Sequence, residues 1–357
     1  MVLMTGNEAM ALGALDAGCD FYAGYPITPQ NELIAYMAGQ MPGRGGVFIQ
    51  AESELAAVNM LFGAASAGAR AMTSSSSPGI SLMQEGISYL AGAELPAVLV
   101  NVMRGGPGLG NIAPAQSDYF QACRSGGHGD YRCPVLAPAS VQEAYDLMPL
   151  AFALADKYRN PVIVLGDGML GQMMEPISVD GKRSKSSAID YRLSTKKWAL
   201  TGCAGRAPNV VKSFFMREGD LEKHNLCLHE KYRRIQNKEQ RWEKLFLDDA
   251  EIILVAYGTM ARIAKSAMRR LRQKGIKVGL LRPISLWPFP QLAFSPSAFD
   301  LRPSTFVVIE MSYRQMLEDV RLAVNGRSAV EFLGRSGGGI PTEEEIISKA
   351  RKITRFV

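Results

Sequence analysis

The feature that most limits how this chain can fold is a repeated alternation of two kinds of segment. Short apolar runs at residues 21–23, 47–49, 69–72, 96–100 and 161–165 read as buried strands. Between them lie stretches rich in Ala, Leu and Met, at 7–18, 30–40, 54–67, 80–92 and 140–157, with helical spacing. Strands and helices alternating at this length form a mostly parallel sheet covered on both faces, the doubly wound α/β arrangement. From about residue 249 the pattern returns at smaller scale. Strand candidates at 251–256, 276–281, 304–309 and 329–333, with a helix at 260–274 ended by Gly275, predict a second, smaller α/β domain.

Composition narrows the class. Over 357 residues, 47% hydrophobic and 21% charged is the balance of a globular protein. It excludes a disordered, collagen-like or coiled-coil chain. No apolar run is long enough to span a bilayer. The start, Met1 to Glu8, has neither the charged region nor the long apolar core of a signal peptide. A cytoplasmic enzyme or enzyme subunit is therefore expected. Cys19, Cys123, Cys133, Cys203 and Cys227 form no C-x-x-C pair, so neither a disulfide framework nor a local cysteine cluster is signalled.

The net charge of +6 is unevenly placed. Residues 181–246 hold 16 Lys+Arg and 7 Asp+Glu, a local net of +9, and leave 24 against 27 elsewhere. That stretch reads as a solvated linker or surface excursion, or as a strap docking on an acidic partner subunit. No nucleic-acid motif accompanies it. The expected organisation is a first domain over 1–178, a basic connector over 179–248 and a second domain over 249–357.

Ligands of open α/β sheets gather at the carboxyl ends of the strands. Four loops there carry candidate chemistry. In Gly24-Tyr25-Pro26-Ile27-Thr28-Pro29-Gln30, two prolines fix a turn around Thr28, which serves either as a plain helix N-cap or as a placed hydroxyl. In Gln50-Ala51-Glu52-Ser53-Glu54, two carboxylates stand where a strand hands over to an apolar helix. They either complement the helix dipole, or one of them is desolvated and exchanges a proton with a ring nitrogen. Thr73-Ser74-Ser75-Ser76-Ser77-Pro78-Gly79 offers hydroxyls and backbone amides to a polar ligand, or packs closely as small residues do. Arg104-Gly105-Gly106-Pro107-Gly108-Leu109-Gly110 combines a fixed cation with close backbone approach.

Two further motifs need weighing. Gly166-Asp167-Gly168 looks like the start of a thiamine-diphosphate metal motif. The Asn required some two dozen residues on is absent from Ala188-Ile189-Asp190-Tyr191-Arg192, so a strand-end turn is expected and no metal ligand is assigned. His128 in Gly126-Gly127-His128-Gly129-Asp130 is either a substrate or coenzyme contact or a loop histidine. The first strand is not followed by G-x-G-x-x-G, which argues against a nucleotide-dependent dehydrogenase.

These loops, in this order, resemble the α subunit of the 2-oxoacid:ferredoxin oxidoreductases. The matching stretches are TGNEAMALGALDAGC (5–19), FYAGYPITPQNEL (21–33), FIQAESELAAVNM (48–60), residues 63–96, VNVMRGGPGLG (100–110), GGHGDYR (126–132) and GQMMEP (171–176). ILVAYGTMARIA (253–264) and residues 275–290 resemble the family's transketolase C-terminal-type domain. Within the family the branched-chain 3-methyl-2-oxobutanoate (2-ketoisovalerate) enzymes look nearest, and the 2-oxoglutarate enzymes next. The resemblance implies that the first domain is the pyrimidine-type half of a thiamine-diphosphate site. It implies a β subunit holding the diphosphate and Mg²⁺, a γ subunit and a ferredoxin-like δ subunit with the iron–sulfur clusters, none of which would sit on this chain. Substrates would be a 2-oxoacid and coenzyme A, with ferredoxin as acceptor. No nucleic-acid or membrane partner is expected. By motif position Glu54 matches the catalytic glutamate that contacts the cofactor pyrimidine, with Glu52 as its rival. Ser76 and Pro78 fall on cofactor-binding positions, and Thr28 and Arg104 on substrate-binding ones. A non-catalytic assembly subunit and a self-sufficient thiamine-diphosphate lyase are the competing readings.

Overall fold

The computed structural model describes residues 1–179, 196–295 and 305–354. The chain begins with β1 (Val2–Thr5), α1 (Gly6–Asp16), β2 (Phe21–Gly24), α2 (Asn31–Gln40), β3 (Val47–Gln50), α3 (Glu54–Ser66), β4 (Ala71–Ser75), α4 (Ser77–Gly92) and β5 (Ala97–Met103). Next come α5 (Tyr119–Cys123), β6 (Val135–Leu136), α6 (Val141–Tyr158), β7 (Pro161–Asp167), α7 (Gly168–Gln172) and β8 (Met174–Ile177). The second half comprises α8 (Asp220–Lys238), β9 (Trp242–Leu245), β10 (Ile252–Val255), α9 (Gly258–Gln273), β11 (Val278–Pro283), β12 (Ser285–Trp287), β13 (Thr305–Glu310), α10 (Gln315–Val324), β14 (Val330–Gly334) and α11 (Glu343–Thr354).

The larger sheet has seven strands in the order β12-β6-β7-β5-β4-β2-β3, and the smaller has five, β14-β13-β10-β11-β9. Both are parallel except at one edge, where β12 and β9 run antiparallel. Every residue of β5 and β7 is buried, which is why these strands are apolar runs rather than alternating ones. The expected architecture, a doubly wound sheet plus a smaller α/β unit, is present.

Two strands depart from the expected boundaries. β9 lies inside the expected connector and pairs with β11 of the smaller sheet. β12 lies inside the expected second domain and closes the β6 edge of the larger sheet. Each unit therefore borrows chain from outside its expected limits. Arg282, at the end of β11, is 5% exposed and fastens the junction. Its guanidinium forks onto the Glu143 carboxylate of α6 at 2.7 and 2.8 Å, and its Nε reaches Glu243 of β9 at 2.7 Å.

The described part of the basic stretch is not a free linker. Helix α8 buries Leu228, Tyr232 and Ile235 against the larger unit. Lys231 is buried too, donating to Glu94 Oε2 (3.3 Å) and to Arg159 O (3.2 Å). Burial pushes its ammonium pKa down, and the Glu94 carboxylate opposes the shift. Glu239 accepts from Lys157 Nζ and Tyr158 Oη at 2.7 Å each. Lys223, Arg233, Arg234 and Lys238 face outward, so α8 is an amphipathic helix with a charged, solvated face. Lys182, Arg183 and Lys185 lie outside the described residues. No helix among the described residues is long and apolar enough to cross a membrane. Because Ile235 is fully buried, Ile235→Ala should cost about 3 kcal/mol in urea denaturation, whereas a residue of a solvated linker would cost almost nothing.

Candidate active site at the carboxyl ends of the first sheet

Strands β5, β4, β2 and β3 are successive neighbours. The four candidate loops leave their carboxyl ends and so come together along one rim.

The α3 rim separates the two carboxylates. Ser53 has extended backbone, and its Oγ accepts the Ala56 N–H at 3.2 Å, which starts the helix at Glu54. Glu54 is the first helical residue and is 5% exposed. Glu52 stands before the helix and is exposed. Ser75 Oγ donates to Glu54 Oε1 at 3.2 Å. Gly79 on α4 leaves room for that pair. A Cβ there would lie 2.0 Å from Ser75 Oγ and 2.3 Å from Glu54 Oε1. Beside them Ser76 is fully buried, and its hydroxyl has no partner among the described residues. Pro78 occupies the first turn of α4, where a missing N–H costs nothing.

Arg104 and Thr28 meet across the next two strand ends. Arg104 is 7% exposed. Its Nη1 donates to Thr28 O at 3.0 Å and its Nη2 to Leu109 O at 3.2 Å, while its buried Nε has no partner among the described residues. Thr28 Oγ1 accepts from Asn31 Nδ2 at 3.3 Å, so Thr28 does not cap α2.

The loop around Thr28 is held from behind by Gln30 and Ser74 of the candidate loops and by Asn7, which the sequence did not single out. Gln30 is fully buried; its Nε2 donates to Tyr25 O (3.2 Å) and its Oε1 accepts from Ser74 Oγ (2.7 Å). Ser74 in turn meets Tyr22 Oη at 2.6 Å. Asn7 Nδ2 bonds both Pro29 O and Glu32 Oε2 at 2.7 Å. A polar amide just ahead of the apolar run from Ala9 to Leu15 is the one signal that could have drawn attention to Asn7.

The second unit clamps the other end of the arginine loop. Gln116 is fully buried and bonds both strand ends of the smaller sheet. Its Nε2 donates to Tyr257 O (3.0 Å), its Oε1 accepts from Met311 N (3.0 Å) and its own N–H donates to Met311 O (2.9 Å). Asn111 Nδ2 reaches Gly337 O at 3.0 Å. Asp167 is a strand-end cap, as expected. Its Oδ1 accepts from Met169 N, Leu170 N and Thr259 Oγ1 at 3.1, 3.0 and 2.8 Å. Burial raises its pKa, and those donors oppose the rise. Residues 188–192, where a metal-binding Asn was sought, lie outside the described residues. Among the described residues no group of three or more His, Cys, Asp or Glu is placed to hold a metal.

His128 stands apart from this rim. It is exposed, with its carbonyl accepting from Ser88 Oγ at 2.7 Å and its ring edge-on to Tyr89. That places it roughly 16 Å along α4 from the Ser77 end. Gln116→Ala strands the Tyr257 carbonyl and the Met311 amide in the interior. It should lower stability by about 2–3 kcal/mol, read as a shifted denaturation midpoint.

A family model described as pyruvate flavodoxin/ferredoxin oxidoreductase, thiamine diphosphate-binding, matches residues 12–242. A second, pyruvate:ferredoxin oxidoreductase core domain II, matches 250–346. The chain is 51% identical over 351 residues to the ketoisovalerate oxidoreductase subunit VorB of Methanothermobacter thermautotrophicus, covering 98% of this chain and 97% of that one. It is 37% identical over 366 residues to the 2-oxoglutarate synthase subunit KorA of Methanothermobacter marburgensis, covering 96% of each. Among solved structures, a 2-oxoglutarate:ferredoxin oxidoreductase from Magnetococcus marinus, with 2-oxoglutarate, coenzyme A and succinyl-CoA bound, superposes with a TM-score of 0.83 at 27% identity. That match covers 98% of this chain and 65% of the other, so the chain spans about two thirds of that longer one. A split-gene transketolase shares the fold alone, with a TM-score of 0.60 at 13% identity. With family models over both units and relatives of this similarity along nearly its whole length, the chain belongs to the 2-oxoacid:ferredoxin oxidoreductases, as an α-type subunit.

Proposed function

We propose that the chain serves the oxidative decarboxylation of a branched-chain 2-oxoacid, 3-methyl-2-oxobutanoate, to its acyl-CoA, carbon dioxide and reduced ferredoxin. The higher identity to the ketoisovalerate subunit, 51% against 37% for the 2-oxoglutarate subunit, carries the choice of oxoacid. The likeness to the 2-oxoglutarate enzyme structure keeps 2-oxoglutarate as the second reading.

The rim suits one half of a thiamine-diphosphate site. Glu54 is a buried carboxylate with a glycine cleared in front of it, and the buried Ser76 hydroxyl lacks a partner among the described residues. Glu54, Ser76 and Pro78 would hold the pyrimidine side of the cofactor. The burial of Glu54 and the exposure of Glu52 favour Glu54 for the role. When bound, the cofactor supplies a carbon nucleophile for the 2-oxo group and an electron sink for the loss of carbon dioxide.

The chain's own residues then have distinct tasks. Glu54 shares a proton with the pyrimidine ring nitrogen, and Ser75 holds the carboxylate in place. The free Nε of Arg104 and its remaining N–H donors pair with the oxoacid carboxylate, while the Thr28 and Leu109 carbonyls fix the guanidinium. The Thr28 hydroxyl adds a hydrogen bond to the oxoacid. Water is kept out by a partner closing over the rim, which strengthens each of these contacts. That partner is a β subunit holding the diphosphate and Mg²⁺. A γ subunit and a ferredoxin-like δ subunit with the iron–sulfur clusters complete a cytoplasmic complex.

Glu54→Gln removes the proton-sharing carboxylate while keeping its shape. In the assembled complex it should lower oxoacid-dependent reduction of ferredoxin or a viologen dye by at least about 100-fold. Near-normal turnover would instead support a purely assembling subunit. Gly79→Ala should cause a comparable loss, because its Cβ displaces Glu54 or Ser75. A panel of oxoacids given to the complex purified from its source should show the highest kcat/KM for 3-methyl-2-oxobutanoate. A preference for 2-oxoglutarate would move the assignment to the second reading.

A further inference from the structure

We propose that Asp118 is a positioning residue that fixes Arg104 for the oxoacid through the Ser77 hydroxyl. The inference rests on the reading of Arg104 given above and adds a residue to it. Asp118 immediately precedes α5 and is only partly exposed. Its Oδ2 accepts from Ser77 Oγ at 2.6 Å and from Asn101 Nδ2 at 2.9 Å. Ser77 Oγ in turn accepts the Arg104 N–H at 3.0 Å and lies 3.3 Å from Arg104 O.

A serine hydroxyl has one hydrogen to give, and two acceptors compete for this one. The carboxylate is both nearer and charged, so it takes the hydrogen. The oxygen lone pairs are then turned toward the Arg104 N–H. The effect is to lock the end of β5 to the start of α4 at the point where the guanidinium departs. The loop that leaves β5 with Arg104 thus returns and clasps its own beginning through Asp118. Between those two points the side chain is held, among the described residues, by the Thr28 and Leu109 carbonyls. Without Asp118, Ser77 can turn its hydrogen to Arg104 O, and Asn101 Nδ2 loses its acceptor. Its Oδ1 is already buried with no partner among the described residues.

The test uses the assembled complex and steady-state kinetics with the oxoacid. Asp118→Ala should raise the oxoacid KM about tenfold or more, in line with the loss of a charge-assisted hydrogen bond. The kcat should stay within about threefold, the pattern of lost substrate placement rather than lost chemistry. Asp118→Asn keeps an oxygen for Ser77 and Asn101 and should bring KM back to within about threefold of wild type. In an Arg104→Ala background, Asp118→Ala should add nothing further. Unchanged KM in Asp118→Ala, or an effect that multiplies fully with Arg104→Ala, would overturn the inference. If Asp118→Ala does not assemble, Ser77→Ala breaks the same link with a smaller change. A raised KM there supports the inference, and a wild-type KM overturns it. Arg104→Ala with a normal oxoacid KM would instead remove the reading on which this inference rests. A raised KM in Arg104→Ala beside a silent Asp118→Ala removes Asp118 alone.

Discussion

A strand buried on both faces can carry polar chemistry only where it ends. In β5 and β7 every side chain is interior, and an unpaired polar group along either would cost a lost hydrogen bond or more. Polar side chains are therefore gathered at the carboxyl rim, where helix starts offer N–H donors and loops can turn back. Glu54, Ser76, Thr28 and Arg104 all sit there, each on a different strand end. Their chemistry differs, but their location follows from the one constraint.

Holding that rim takes more than the sheet beneath it. Four separate loops must stay in register with one another. The structure ties them through buried side chains with few spare hydrogen-bonding groups: Asn7 and Gln30 on one side, Gln116 on the other. Among the described residues the smaller sheet contributes none to that rim. It supports the rim from behind, since Gln116 and Asn111 fasten the arginine loop to its strand ends and Asp167 fastens its own turn to Thr259.

The sequence conveyed the main elements of both sheets, because periodicity and apolar runs report burial directly. It also located the rim loops, because glycine, proline and hydroxyl clusters mark strand ends. Its blind spots have separate causes. β6 and β12 are two and three residues long, too short to show a period. Helix α8 was obscured by its own charge, since a basic outer face outweighs three buried apolar side chains in any average over composition. The choice between Glu52 and Glu54 depended on where α3 begins, and Ser53 decides that by a single hydrogen bond. Gln116 and Asp118 carried no signal at all, since their partners are brought to them by the fold rather than by neighbours in the chain.

The placement of β12 has a consequence for how this polypeptide can be divided. The two family models part between residues 242 and 250, which invites a cut there. A first unit cut at that junction would lose β12 and bare the backbone of β6. It would also lose the Arg282 guanidinium that neutralises Glu143. Such an open strand is a ready template for another chain. Cut there, the first half would carry an open edge that the intact chain covers with its own later residues.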